Sequence, residues 1–339
     1  MARDIAALFE KLIGGDRVIL GQLMTLVESD VPEDRAEAIQ LLSVCEERLK
    51  INDSSTRLAI SGAPGAGKST LIEALGMKAI EEGHKVGVIT IDPSSSLSGG
   101  SILGDKSRMN QLAVSPHAFI RSSAAGQVLG GLGRRSMEMM TLLAAAGYDL
   151  IFIETVGVGQ SEHVAWQITD GFILVIQPGA GDELQGIKRG ITELADIVLV
   201  NKADSHLATL AKIARSQYEA ALHLFSSIRD GWIPKAVTCS ALEGSGIDAV
   251  WQVLRLYKEH LDQQSDIHAR RRDQRVKWLN WSLQHTAQDL AMNHPLIRER
   301  LESGLVHLSE ASTSVFQIEY EIENLMRELI FSSPSTTHV

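Results

Sequence analysis

The feature that most restricts the fold is a glycine-rich run of eight residues, Gly-Ala-Pro-Gly-Ala-Gly-Lys-Ser, which begins at Gly62 and fits the pattern G-x-x-x-x-G-K-[ST]. It follows a short apolar run and precedes a helical pattern, an order typical of a phosphate-binding loop. The glycines allow backbone N–H groups to surround phosphate oxygens, and the start of the helix adds partial positive charge. We predict that the phosphate contacts come from Gly62, Gly65, Ala66, Gly67, Lys68, Ser69 and Thr70.

Short apolar runs with β-branched residues recur through the middle of the chain, and helical patterns separate them. These runs are Leu58–Ser61, Val86–Ile91, Leu150–Ile153, Phe172–Ile176, Ile197–Val200 and Ala236–Thr238. Strands that alternate with helices form a parallel sheet covered on both faces, and ligands bind at the carboxyl ends of its strands. The predicted fold class is therefore α/β, a P-loop NTPase domain with a mostly parallel central sheet.

The four residues Asn201-Lys202-Ala203-Asp204 match the pattern N-K-x-D and follow one of these runs. The Asp204 carboxylate can accept hydrogen bonds from guanine N1–H and the exocyclic amine, whereas adenine offers no such pair. We expect Asn201 to meet another edge of the base and the stem of Lys202 to lie along its face. Further along, Ser240, Ala241 and Leu242 resemble the element whose backbone N–H contacts guanine O6. The bound nucleotide is therefore predicted to be GTP or GDP.

A sensor for the γ-phosphate is predicted at Glu154-Thr155-Val156-Gly157, which resembles D-x-x-G with Glu in place of Asp. Glu154 is expected to hold Mg²⁺ through water, beside the Ser69 hydroxyl, and the Gly157 N–H to meet the γ-phosphate. The next residue is Val158, where Ras-like enzymes carry a Gln that orients water. Slow intrinsic hydrolysis is expected, or hydrolysis that depends on other residues.

Two acidic residues beside serine- or glycine-containing segments are candidates for that role. Asp92 follows a predicted strand, and Asp105 lies in the segment 104–108. An acid past a strand end can meet Mg²⁺ or the attacking water, although Asp-Pro is also a good helix N-cap. In the segment 177–188, Asp182, Glu183 and Lys188 lie near glycines and are predicted to form a switch loop; a plain strand–helix connection is the alternative.

Helical patterns occupy both ends of the chain. Near the N-terminus, Ala36, Ile39, Leu42 and Leu49 form one expected apolar stripe. After about residue 260, Val276, Leu279, Leu283, Ala287 and Leu290 form another, followed by a helix over Val315–Ile330. This second stripe predicts a dimerisation arm, or else packing onto its own domain. The expected organisation is a helical segment 1–53, a GTPase domain 54–262, a helical dimerisation arm 263–332 and a tail 333–339.

Composition excludes several classes of function. The formal net charge is −10, so general binding to nucleic acid or an anionic membrane is not expected. The two cysteines, Cys45 and Cys239, are far apart and have no metal-type spacing, which suits a reducing compartment. We identify no signal peptide and no run of about 18 apolar residues, so a cytoplasmic protein is expected.

Taken together, these motifs resemble one family. The glycine-rich loop, the segment Asp92-Pro93-Ser94-Ser95-Ser96, the segment 99–106, the segment 154–162 and the N-K-x-D element are similar to those of the MeaB/ArgK-type GTPases. These are accessory G proteins of adenosylcobalamin-dependent methylmalonyl-CoA mutase. The similarity covers nearly the whole chain, including both helical extensions.

The resemblance implies a homodimeric GTPase that gates cofactor loading of a B12-dependent mutase and protects it, without tightly bound B12 of its own. It implies that Ser69 contacts Mg²⁺ directly, with Asp92, Asp105 and Glu154 around the metal. The catalytic set is then Lys68, Asp92, Asp105, Glu154 and Gly157. Two alternatives remain open: a nickel-delivery GTPase for urease or hydrogenase, for which no His-rich tract or Cys-x-x-Cys is found, and a protein kinase of a transport system.

Overall fold

The computed structural model describes residues 3–92, 109–124, 135–155, 161–179, 189–204, 207–225, 231–263, 267–310 and 312–331. Seven strands form one sheet: β1 Thr56–Ser61, β2 Val86–Asp92, β3 Ala118–Ala124, β4 Leu150–Glu154, β5 Gly171–Ile176, β6 Ile197–Val200 and β7 Lys235–Thr238. Their order is β3-β2-β4-β1-β5-β6-β7, and every neighbouring pair is parallel. The predicted α/β fold with a parallel sheet is confirmed.

Strand β3 is absent from the sequence-based expectation. It reads Ala-Phe-Ile-Arg-Ser-Ser-Ala and lies at one edge of the sheet, beside β2. An edge strand has one neighbour, so it tolerates polar residues such as Arg121 that a central strand excludes. The central strands β1, β4, β5 and β6 are buried almost throughout, and their continuous apolar runs made them easy to predict.

The described helices precede, cover and follow the sheet. They are α1 Ile5–Ile13, α2 Arg17–Glu28, α3 Pro32–Ile51, α4 Lys68–Glu81, α5 Asn110–Val114, α6 Ser136–Ala145, α7 Ser161–Ile168, α8 Arg189–Leu194, α9 Ala208–Phe225, α10 Ile247–Gln263, α11 Ile267–Met292, α12 Pro295–Ser309 and α13 Val315–Phe331. None of the helices in this described part of the chain is long and apolar enough to cross a membrane.

The N-terminal helices pack onto the sheet domain through α3 and α6. Arg35 of α3 forms two hydrogen bonds with the Glu138 carboxylate of α6, at 2.6 and 2.7 Å. The buried face of α3 consists of Ala38, Leu41, Leu42, Cys45 and Leu49. Two members of the expected stripe, Ala36 and Ile39, are exposed instead. The helix carries apolar residues on more than one side, and its packing against α1, α2 and α6 selects the buried side.

The chain divides into two compact units, residues 1–275 and 276–339. The first contains the sheet and its main apolar core, in which Phe152 of β4, Leu71 of α4 and Tyr257 of α10 are almost fully buried. In the second, α12 and α13 pack together where Gly304 faces Ile318, and a Cβ at Gly304 would clash with that side chain. Arg300 of α12 also pairs with Glu321 of α13.

Candidate nucleotide site

The glycine-rich loop lies between β1 and α4, at the carboxyl edge of the sheet. Gly62, Gly65 and Gly67 all have positive φ, the region that glycine adopts without a steric penalty. At Gly62 a Cβ would clash with the Val175 carbonyl of the neighbouring strand β5, so close packing as well as φ requires glycine there. Helix α4 begins at Lys68, and its first N–H groups therefore face this loop.

The Lys68 side chain is buried, and its ammonium group curls back over the loop. Its Nζ donates a hydrogen bond to the Gly62 carbonyl at 2.8 Å, and the Ala63 carbonyl lies 3.4 Å away. The cation is thus held at the mouth of the loop, where phosphate oxygens would contact it. Thr70 follows in α4 and is half-buried, while Ala66 is fully buried.

The Asn201 side chain connects this loop to the N-K-x-D segment. Its Nδ2 donates to the Ala66 carbonyl at 2.9 Å, and its Oδ1 accepts from the Ala241 N–H at 3.0 Å. Asn201 is 2% exposed, so both bonds are formed away from water. A Cβ on Gly67 would clash with Asn201 Nδ2, which explains a second requirement for glycine in the loop.

The base-recognition residues predicted from sequence lie together, since β6 and β7 are neighbouring parallel strands. The Asp204 carboxylate accepts a hydrogen bond from Ser240 Oγ at 2.7 Å, and the Ala203 N–H donates to the Cys239 carbonyl at 3.0 Å. Burial raises the pKa of the Cys239 thiol to about 12, so this group stays neutral near pH 7. Leu242, also predicted here, is exposed.

The oxygen ligands predicted for Mg²⁺ are partly brought together. Ser69 Oγ, at the start of α4, donates a hydrogen bond to Glu154 Oε1, at the end of β4, over 2.9 Å. A hydroxyl and a carboxylate are the hard oxygen donors that Mg²⁺ prefers, and both lie beside the glycine-rich loop. The residues present therefore fit Mg²⁺ by donor chemistry.

Lys202 has a contact that sequence reasoning missed. Its Nζ donates a hydrogen bond to Gln177 Oε1 at 2.9 Å, and Gln177 is the first residue after β5. Residue 177 was included in the predicted loop, but no role was assigned to it. The signal available in the sequence is its position, because Gln177 and Lys202 both follow apolar runs that end as adjacent strands.

Comparison with known proteins places this geometry in one family. A family model described as "Methylmalonyl Co-A mutase-associated GTPase MeaB" matches residues 20–295. The chain belongs to the MeaB family of GTPases. It is 44% identical over 295 residues to GTPase ArgK of Escherichia coli, covering 87% of each chain.

Two further relatives extend the comparison. The chain is 40% identical over 307 residues to the mouse (Mus musculus) protein "Methylmalonic aciduria type A homolog, mitochondrial", covering 88% of this chain and 74% of that one. A solved structure described as "Crystal structure of LAO/AO transport system kinase" matches with a TM-score of 0.73 and 34% identity, over 96% of this chain and 99% of that one. Like other MeaB-family proteins, the chain is a GTPase with a P-loop fold.

For the remaining predicted site residues, the structure does not describe the positions of the side chains. The backbone of Asp92 ends strand β2, but its side chain lies outside the described atoms. Asp105, Gly157, Asp182, Glu183 and Lys188 lie outside the described residues. Their roles in metal binding, hydrolysis and switching stay predictions.

Proposed function

We propose that the chain binds Mg²⁺·GTP at the carboxyl edge of the sheet and uses hydrolysis to gate adenosylcobalamin loading of a B12-dependent acyl-CoA mutase. The observation that carries the nucleotide part is the Asn201 bridge, which ties the glycine-rich loop at Ala66 to the base-recognition loop at Ala241. One buried side chain thereby fixes the distance between a phosphate site and a base site. The mutase as client is supported by the description of the family model.

Each residue of the site has a task in this scheme. Asp204 accepts hydrogen bonds from guanine while Ser240 holds its carboxylate in place. Lys68 moves its charge from the Gly62 carbonyl to the phosphates. Ser69 and Glu154 would hold Mg²⁺, which supplies positive charge against the phosphate oxygens. Asp92 and Asp105 are the residues proposed to orient the water that attacks.

We also propose that the protein is a homodimer built through its C-terminal helices. On α11 the side chains of Val276, Leu279 and Leu283 are each 57% exposed, and Leu290 is 71% exposed. On α13, Phe316 is 76% and Ile330 is 74% exposed. An apolar stripe of this kind is typical of a helix that packs against another chain.

The client proposal is tested by single-turnover GTP hydrolysis with and without a methylmalonyl-CoA-type mutase. We expect the mutase to raise the rate of the wild type at least about tenfold, because docking would favour the arrangement of the switch residues that promotes hydrolysis. A tenfold increase equals about 1.4 kcal/mol of barrier. Lys188→Ala should lose this stimulation and keep basal hydrolysis. Lys212→Ala, an exposed lysine on α9, serves as the control.

The same preparation tests the gating of cofactor loading. Adenosylcobalamin transfer to the mutase, followed by its absorbance, should differ between the GTP-bound and GDP-bound complexes. Equal rates for the two nucleotides, or a mutase that leaves hydrolysis unchanged, would contradict the proposal. If Lys188→Ala reduces basal and stimulated hydrolysis equally, Lys188 belongs to the catalytic centre rather than to a switch.

A transport-system kinase is a second candidate, and it is favoured by the solved relative that is described as such a kinase. A kinase would leave the γ-phosphate on an acceptor protein, whereas a GTPase releases it as inorganic phosphate. Labelled GTP therefore distinguishes the two by the fraction of label bound to protein. No observation on the described residues favours the nickel-delivery alternative.

A further inference from the structure

The backbone of Lys202 adopts an unusual conformation. Its φ is 58°, and among the described residues it is the only non-glycine with positive φ. Residues other than glycine, asparagine and aspartate rarely adopt this backbone conformation, because their Cβ approaches the following carbonyl oxygen. The conformation persists where surrounding contacts determine it, and such positions cluster at functional sites.

Three contacts hold Lys202 from both sides. Before it, the Asn201 N–H donates to the Ile176 carbonyl at 2.8 Å, which continues the pairing of β5 with β6. After it, the Ala203 N–H donates to the Cys239 carbonyl at 3.0 Å. The third contact is made by the side chain itself, whose Nζ donates to Gln177 Oε1 at 2.9 Å. Both Lys202 and Gln177 are half-buried.

This side-chain contact restricts a flexible group. A lysine stem has four methylene groups, and fixing its end removes most of their rotational freedom. An ammonium group only donates, so the amide oxygen of Gln177 must be the atom that faces it. The hydrogen bond to Gln177 therefore holds the end of the Lys202 stem in one place.

We propose that Gln177 is a positioning residue for the purine base. It fixes the ammonium group of Lys202, so that the Lys202 stem is already in place to pack against one face of guanine. This inference rests on the proposed nucleotide site, in which the Lys202 stem lies along the base. Gln177 acts through Lys202 and does not itself touch the phosphates. A residue that pre-organises a binding surface lowers the entropy lost on binding and so strengthens affinity.

The test compares Gln177→Met with Gln177→Glu in the full-length chain. Methionine keeps the unbranched shape but lacks the amide oxygen, whereas glutamate retains an oxygen that accepts from Lys202. We expect Gln177→Met to raise the Kd for GDP about tenfold, and Gln177→Glu to restore affinity to within about twofold of the wild type. The measurement is titration with GDP and with IDP, alongside inorganic tripolyphosphate as a probe without a base.

The probe without a base separates positioning from general damage to the fold. Gln177→Met should weaken GDP and IDP by the same factor and leave the Kd for tripolyphosphate unchanged. Adding Gln177→Met to Lys202→Met should cause no further loss of GDP affinity, because each change alone removes the same hydrogen bond between the two side chains. Equal loss of tripolyphosphate binding, failure of Gln177→Glu to restore affinity, or full additivity would overturn the inference.

Nucleotide binding by the wild type distinguishes failure of this inference from failure of the proposed function on which it rests. If the wild type shows no preference for GDP over ADP, the proposed guanine site fails. If the wild type prefers GDP and Gln177→Met binds it equally well, only the role of Gln177 fails.

Discussion

At the scale of single residues, the candidate site depends on side chains that hold one another before any ligand arrives. Asn201 uses both ends of its amide, and Asp204 is held by Ser240. The remaining oxygen of the Asp204 carboxylate is the acceptor proposed for guanine. In the proposed site, selectivity for the base would therefore depend on one carboxylate that Ser240 holds in place.

Asp204→Asn tests this assignment directly. The amide presents a donor where the guanine amine also donates, so GTP should bind more weakly by on the order of 2–3 kcal/mol, while xanthosine nucleotides should bind more tightly. Calorimetry with GTP and XTP measures both changes. Asp248→Asn, at an exposed aspartate of α10 that pairs with Lys78, should leave both affinities unchanged. Equal GTP affinity in Asp204→Asn would remove the guanine assignment.

At the scale of elements, a buried ion-pair network attaches the first turns of α11 to the sheet. Arg271 donates to the Asp170 carboxylate at 2.7 Å and pairs with Asp53 at 2.7 Å. The Arg57 N–H of β1 donates to the same Asp170 carboxylate at 2.9 Å, and Gln274 Nε2 donates to the Thr169 carbonyl at 2.8 Å. Asp170 immediately precedes β5, so the network joins α11 to the amino ends of β1 and β5.

The charge of Asp170 is set by two opposing effects. Burial by itself raises the pKa of its carboxyl, but the charge and hydrogen bonds of Arg271, together with the charge of Arg57, outweigh burial and lower that pKa to about 2. A carboxyl with a lowered pKa stabilises the fold above its unfolded pKa, near 4, and loses this contribution as pH falls toward 2. The contribution at neutral pH is about 2–3 kcal/mol.

Asp170→Asn should therefore reduce the free energy of unfolding at pH 7 by about 3–5 kcal/mol, because it removes one of the two carboxylates that pair with the buried Arg271. The difference from the wild type should shrink as pH falls from 5 toward 2, because the Asp170 carboxyl of the unfolded chain takes up its proton near pH 4 while that of the folded chain stays charged. Urea unfolding at several pH values measures this difference.

Asp262→Asn is the matched control for this prediction. Asp262 pairs with Lys258 on the surface of α10 at 3.0 Å, and such exposed pairs contribute about 0–1 kcal/mol. A difference between Asp170→Asn and the wild type that stays constant from pH 7 to pH 3 would show that the Asp170 charge does not contribute as described.

At the scale of the whole molecule, the oligomeric state is a property that the structure of a single chain does not determine. The exposed stripe of α11 is the basis of the proposed homodimer, and the domain boundaries predicted at residues 53, 262 and 332 stay predictions. The contacts of Arg271 and Gln274 show that the start of α11 belongs to the sheet domain. A truncation that tests the arm should therefore begin at residue 276, so that these contacts remain.

Leu279→Glu combined with Leu283→Glu should convert the proposed dimer to a monomer in light scattering at micromolar concentration. The two charges would be buried without partners in the interface, whereas both positions are 57% exposed in the single chain, so thermal stability of the monomer should change little. Gln288→Glu adds a charge at an exposed position on the other side of the same helix and should stay dimeric. A monomeric wild type would show that the stripe has another role.

The sequence by itself determined the parts of this protein that depend on adjacent residues. A phosphate loop needs closely spaced glycines between a strand and a helix, so Gly62–Ser69 was recognisable without a fold, as were the six strands that carry short apolar runs. The order of the motifs also predicted the family. Strand β3 was not predicted, and the expected burial of Ile39 was wrong, because local polarity does not reveal which neighbours a segment has.

Only the tertiary structure decided which distant residues meet. The bridge from Asn201 to Ala66 spans 135 positions, that from Arg271 to Asp170 spans 101, and that from Lys202 to Gln177 spans 25. The first and third depend on the strand order, which places the loops after separate strands side by side. The second depends on the packing of α11 against the amino ends of β1 and β5. Side-chain periodicity records which face of a strand is buried, but strand order follows from packing and crossover connections of the whole chain. The physical reason is that hydrogen bonds act over about 3 Å in space, whatever the separation along the sequence.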